Sequence, residues 1–363
     1  MRAGISNIKG NLYTGGWQLI YENLLTSAAT SVTISGLDGN TDKEYRLVCR
    51  IVNGYAGYSN YLVRLNNDSG ANYGRQIIYG VNATASAYRG TDALYMGYAN
   101  NLNYLVLGEI LIFAKSGYVR TVLTKDSSGI TGTTVTRIGL TGGSWNNTAD
   151  NITSLVVLAD QTNGLGIGSH ILLFARRIKQ TTQLEGSLEL YKGKLQAGVM
   201  QTIYETTLTE AATSITISGL DGDTDILYEL ECRFVNGYAG GVDYLARLNN
   251  DSGANYGYQY LNGADTVIGV ARSVNTGLFV GYISAIDKIN FMEKIIYAKS
   301  GYVRTAITKV ARNITGTTID QIQILGESWN NTSDNITSIV LVGNTNCLGI
   351  GTYIRLKALR KVL

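Results

Sequence analysis

The sequence predicts an all-β protein, two tandem duplicated antiparallel β-sandwich domains of jelly-roll-like outline. Three observations carry that expectation. Seven phrases recur in the same order about 183 residues apart; apolar residues alternate with period two; and reversals are written in Gly, Asn, Asp and Ser, with no proline among 363 residues.

The repeat divides the chain into two copies. TISGLDG starts at 33 and 216, VNGYAG at 52 and 235, and RLNNDSGANYG at 64 and 247. AKSGYVRT follows at 114 and 298, SWNNT at 144 and 328, DNITS at 150 and 334, and LGIG at 165 and 348. The offset moves by one residue and back, so single residues were gained and lost where loops absorb them. A unit of about 180 residues is domain-sized, well above the repeats of solenoids. The expected division is a first sandwich at 1–177, a linker at 178–191 and a second sandwich at 192–363. KGNLYTGGWQLIYE at 9–22 matches KGKLQAGVMQTIYE at 192–205, which draws the first residues into the fold.

Strands follow from alternation. In KEYRLVCRIVNG the residues Tyr45, Leu47, Cys49 and Ile51 alternate with Arg46, Val48, Arg50 and Val52; Tyr228, Leu230, Cys232 and Phe234 repeat the pattern. One apolar and one polar face predict a half-buried strand. SVTIS, NYLVRLN, EILIFAK, TVTRIGL, SLVVLA and HILLFARR behave alike, which gives about eight strands per copy. Cys49 and Cys232 occupy one position in two copies and, with Cys347, whose counterpart is read as Asn163, are expected to be free thiols.

Composition narrows the partners. Charged residues are 16% and the net charge is +3, with no basic run for nucleic acid, and no twenty-residue apolar segment or apolar leader is present. The expectation is a soluble chain that binds neither nucleic acid nor membrane, with no cofactor.

The candidate sites are few. In RLNNDSGANYG, Asn67, Asp68 and Asn72 offer hard oxygen ligands, and Asp251 repeats Asp68; a single carboxylate per corner makes Asp68 and Asp251 weak metal candidates and a structural turn the better reading. That turn predicts Gly70 and Gly253 at positive φ and Tyr73 and Tyr256 as anchors. SGLDGNTD and SGLDGDTD, with Asp38, Asp42, Asp221 and Asp225, read as Asx hairpin loops. Trp145 and Trp329 stand beside Asn-rich loops, where a Trp closes a sandwich core or stacks a sugar; with Tyr73 and Tyr256 they are the candidate ligand or interface residues. His170 is the only histidine and has Tyr353 as its counterpart, which argues against a triad. Glu109 or Glu293 facing Asp68 or Asp251 is the remaining arrangement for glycoside hydrolysis, and no spacing favours it. No catalytic residue is expected.

Taken together, SGLDG with its following strand, YLVRLNNDSGANYG, AKSGYVRT, WNNTxDNITS and GLGIG resemble modules of structural proteins of tailed bacteriophages, over nearly the whole of both copies. The resemblance implies a virion structural protein, capsid-decorating or in the tail, assembled in the host cytoplasm and attached to other virion proteins. A homotrimer of tandem duplicates would present six similar modules in a pseudo-sixfold ring. The alternatives are a receptor- or carbohydrate-binding module meeting a host surface glycan, and a double jelly-roll major capsid protein.

Overall fold

The computed structural model describes residues 17–176, 199–264, 267–316 and 318–360, so the expected linker and the chain's first sixteen residues lie outside it. In the first copy a large antiparallel sheet runs, edge to edge, β6 (Thr84–Gly90), β5 (Tyr73–Val81), β10 (Thr134–Trp145), β9 (Arg120–Thr131), β8 (Leu105–Phe113), β3 (Glu44–Val52), β12 (His170–Arg176) and β1 (Trp17–Leu24). A small sheet lies over it in the order β2 (Ser31–Ser35), β11 (Ser154–Ala159), β4 (Ser59–Leu65) and β7 (Leu94–Ala99). The second copy repeats both orders. Its large sheet is β18 (Val267–Asn275), β17 (Tyr256–Ala264), β22 (Gln321–Trp329), β21 (Arg304–Ile314), β20 (Ile289–Tyr297), β15 (Leu227–Val235), β24 (Tyr353–Arg360) and β13 (Val199–Thr207). Its small sheet is β14 (Ser214–Ser218), β23 (Ser338–Val342), β16 (Val242–Leu248) and β19 (Leu278–Ile283).

Each described copy therefore has twelve strands rather than about eight. Among the additional ones, β6 and the middle of β9 do not alternate. β9 runs through KDSSG and β6 is largely exposed and small or polar, so both read as loops until a neighbouring strand supplies the pairing. SGLDGNTD is also corrected. It forms one helical turn, α1 (Gly39–Asp42), capped by Asp38, whose side chain accepts from the Asn40 and Thr41 amides; α2 (Gly222–Asp225) repeats it under Asp221.

The inward residues predicted for β3 and β4 are buried between the two sheets: Tyr45, Leu47, Cys49 and Ile51 meet Tyr61, Val63 and Leu65, and Tyr228, Leu230, Cys232 and Phe234 meet Tyr244, Ala246 and Leu248. Each such aliphatic or aromatic side chain contributes about 1.5–3 kcal/mol by leaving water. The three cysteines are buried free thiols, and burial pushes all of them up. Cys347 stands opposite Gly164 rather than Asn163, because Asn163 and Asn346 share the left-handed turn position before them.

The polar face of β3 is the main departure from alternation. Every residue from Tyr45 to Val52 is buried, because the outer faces of the two large sheets pack on each other. Val48, Leu107, Ile138, Leu172 and Phe174 of the first copy join Leu227, Leu261, Ile295, Ile307 and Ile324 of the second in one apolar cluster. Arg46 reaches Glu109 and, across the interface, Glu229, each at 2.6 Å. Arg50 lies over the Tyr302 ring at 3.9 Å, and His170 Nδ1 is 2.7 Å from the Tyr297 hydroxyl. The approach is close. A Cβ on Gly257 would strike the Thr133 carbonyl, and one on Gly326 the Ser127 hydroxyl. The result is four layers, small, large, large, small. The large sheets also touch at one residue pair, Gln18 with Val199, so sixteen strands form a ladder that doubles back on itself.

Candidate binding groove

The repeated phrases meet one another. Asp68 accepts from the Trp145 indole N–H at 2.7 Å, the Asn72 amide at 2.9 Å and the Gly70 backbone N–H at 2.8 Å. Asp251 accepts from Trp329 at 2.8 Å, Asn255 at 3.0 Å and Gly253 at 2.8 Å. Tyr73 and Tyr256 bury their hydroxyls against the Leu65 and Leu248 amides, which donate to them at 2.9 and 3.0 Å. Their rings stack on Trp145 and Trp329 at centroid distances of 6.4 and 6.1 Å. Arg120 and Arg304 cover the other ring of each pair. One clasp at the end of each sandwich thus joins RLNNDSGANYG, SWNNT and AKSGYVRT.

This placement bears on each reading offered for these residues, and it overturns the one that put Gly70 and Gly253 at positive φ. Trp145 and Trp329 are both 0% exposed, so neither offers a ring face to a sugar. Both oxygens of Asp68 and of Asp251 are held by protein donors, and no cluster of three or more metal-ligating side chains occurs among the described residues. Gly70 and Gly253 are not the left-handed residues of the turn; Asn66, Asn67, Asn249 and Asn250 are, at φ of 51 to 55°. The indole N–H first, then Asn72 and Gly70, hold the Asp68 carboxyl below the usual range, against some burial. Glu109 is an anion: burial opposes its charge, but Lys125 and Arg46 beside it bring it to about 2. Glu293 is half-exposed and pairs with Lys309. Neither glutamate is joined to a corner aspartate.

Away from the clasp, an open groove of 720 Å³ lies in the first copy, within the size range of small-molecule sites; of its lining, Leu62 and Tyr98 recur in the second copy as Leu245 and Tyr282, and most of the rest differ. One wall is the β5–β6 hairpin, with Arg75, Ile77, Tyr79 and Tyr88; the other is the outward face of β4 and β7, with Leu62, Tyr95 and Tyr98. Tyr58, just before β4, packs on Tyr98 at 4.8 Å. Arg137 of β10 forms the floor. It is 2% exposed, paired with Asp126 and surrounded by the rings of Tyr79, Tyr95 and Tyr98 at 5.0, 5.2 and 5.5 Å. Burial works against its charge, and Asp126 together with the surrounding tyrosines more than offsets that and raises it. Arg75 pairs with Asp92 at 2.9 Å and donates to the Ala93 carbonyl. At the rim, Asp160 accepts from the Asn60 backbone at 2.9 Å and from its side-chain amide at 2.7 Å, and the Tyr58 hydroxyl donates to the Asn60 side-chain Oδ1 at 2.9 Å. Burial pushes the Tyr58, Tyr95 and Tyr98 hydroxyls up, so they stay protonated donors.

None of these groove residues was singled out by reading for shared phrases. The available signal was the redistribution of tyrosine between the copies: Tyr58 becomes Gly241 and Tyr88 becomes Ala271, while Arg75 and Ile77 become Tyr258 and Tyr260.

No family model matches the chain, and no curated protein does. Among solved structures, the LG1-3 region of the laminin alpha2 chain is 8% identical with a TM-score of 0.21, over 92% of this chain and 65% of that one. Domains LG4-5 of the mouse laminin alpha1 chain are 11% identical with a TM-score of 0.20, over 92% of this chain and 88% of that one. At these values the likeness carries no argument.

Proposed function

We propose that the chain is a non-enzymatic structural protein of a tailed-bacteriophage virion, a capsid-decorating or tail component that works by self-assembly and attachment. The observation that carries this reading is the division of labour between residues. The repeated polar phrases close on one another in both clasps, and the residues outside them form an outward groove whose arginines are already paired. In the groove Arg75 is matched by Asp92 and Arg137 by Asp126, an arrangement suited to holding a partner rather than to moving protons. Sheets of eight and four strands also differ from the eight-stranded sandwich of each half of a double jelly-roll capsid protein. The test is co-sedimentation. In a density gradient of the phage whose genome carries this sequence, the chain should travel with intact particles in a fixed ratio to the other virion proteins; its recovery only at the top of the gradient would end the structural reading. Its mass in solution checks the proposed homotrimer.

The groove favours a second reading, a receptor-binding module of a tail or surface adhesin. Under it, Tyr58→Ala with Tyr88→Ala should reduce particle adsorption to cells without changing incorporation of the chain.

A further inference from the structure

We propose that the groove of the first copy binds a neutral glycan built of pyranose sugars, an inference that rests on reading the groove as a contact site. A pyranose ring presents an apolar C–H face and a rim of hydroxyls, so its receptor needs open aromatic faces beside fixed planar hydrogen-bonding groups. The groove has both. Tyr88 on the hairpin wall and Tyr58 on the opposite one are 53% and 49% exposed, which leaves ring surface for stacking. Asp160 and Asn60 are locked to each other by two hydrogen bonds of 2.9 and 2.7 Å, which presents a carboxylate and an amide side by side to neighbouring hydroxyls. Because their positions are set before the ligand arrives, little ordering cost remains on binding.

Charge decides the class. The two arginines are buried and each is neutralised by its own aspartate, Arg75 by Asp92 and Arg137 by Asp126, while Asp160 is exposed at the mouth and bonded to Asn60. A sulfated or uronate sugar would meet the Asp160 carboxylate with no unpaired cation in the groove lining to answer it. A quaternary ammonium ligand is excluded differently: the position over Tyr79, Tyr95 and Tyr98 that would hold it is filled by the Arg137 guanidinium. The second copy is an internal control, since its counterparts of Tyr58, Tyr88 and Arg137 are Gly241, Ala271 and Gln321.

The full-length chain would be applied to a printed array carrying neutral, sulfated, sialylated and uronate glycans together with choline conjugates, and the retained compounds titrated by calorimetry. Neutral glycans should be retained, and Tyr58→Ala and Tyr88→Ala should each weaken them by on the order of tenfold with unchanged thermal melting. Val267→Ser, an exposed change in the second copy, should leave binding unaltered. Retention of acidic glycans or choline alone, retention of nothing, or equal binding by the tyrosine variants would overturn the inference. If particles carrying Tyr58→Ala and Tyr88→Ala lose adsorption while the purified chain ignores every glycan, the contact reading survives and the glycan does not.

Discussion

The hairpin edge of the large sheet is open in the first copy and filled in the second. In the first, Ile77 and Tyr95 pack into a small buried cluster with Leu62 and Ala93, Arg75 lies over the Tyr95 ring at 5.5 Å, and Arg75, Ile77 and Tyr95 line the open groove. In the second their counterparts are Tyr258, Tyr260 and Phe279, whose rings stack on one another at 6.2 and 6.0 Å and pack against the core. Each copy also buries one ion pair beneath this edge, at non-equivalent positions. The first uses Arg137 with Asp126; the second uses Lys294 with Glu327, tied further to Thr308 and to the Phe279 backbone. The same strand order thus supports two different interiors at one edge, while the clasp is kept in both. Agreement between copies marks what the fold needs, and disagreement marks where one of them became free to do something else.

The largest effect expected from testing this contrast comes from the buried pairs. Arg137→Met strands Asp126 in the first copy and Lys294→Met strands Glu327 in the second, and each should cost about 3–5 kcal/mol in urea unfolding. Only the first should also disturb the groove; a Lys294→Met chain that lost ligand binding would show the two edges to be coupled. The next effect tests the packing of the copies on each other. Gly257→Ala should lower stability by about 1–3 kcal/mol through its clash with Thr133, and unchanged melting would mean that the large sheets do not meet there.

Smaller and symmetric changes should come from the clasps. Asp68→Ala and Asp251→Ala should each cost about 1 kcal/mol, with chelators having no effect on either. Both carboxyls are held below their usual range in the fold: Asp68 by Trp145 first, and Asp251, where burial is the largest influence and acts upward, by Trp329, Asn255 and Gly253 acting together. Their contribution is therefore complete above about pH 4 and is lost as pH falls through the lowered values. The double variant should show a flatter acid limb of melting temperature against pH than the parent. The smallest effect is Tyr88→Ala, within about 0.5 kcal/mol on stability because the ring is half in solvent, although its consequence for binding is large.

Much of the fold is legible because local and global preferences agree. Tyr45, Leu47, Cys49 and Ile51 announce their strand, and Asp68, Asn72 and Trp145 belong to phrases that recur because they bond to one another. What escapes is whatever depends on a distant surface. Arg46 and Arg50 read as a solvated face, since no pattern within residues 44–52 says that Glu229 and Tyr302 will cover them. KDSSG reads as a loop because only pairing with β8 and β10 makes it a strand. The groove escaped for a third reason: a search for sameness between copies passes over the residues in which they differ.

The mutual burial of the large sheets has a consequence during synthesis. β1 pairs with β12, Leu24 opposite His170, so the first sandwich can close once residue 176 has left the ribosome. Its outer face, with Val48, Leu107, Leu172 and Phe174, then stays bare until the second copy has been made. At about 5–20 residues per second that interval lasts roughly 10–40 s, long enough for the nascent face to meet another polypeptide. The tether resolves the competition in favour of the chain's own second sheet, which arrives at an effective concentration of about millimolar, far above that of any sheet supplied by a neighbouring ribosome.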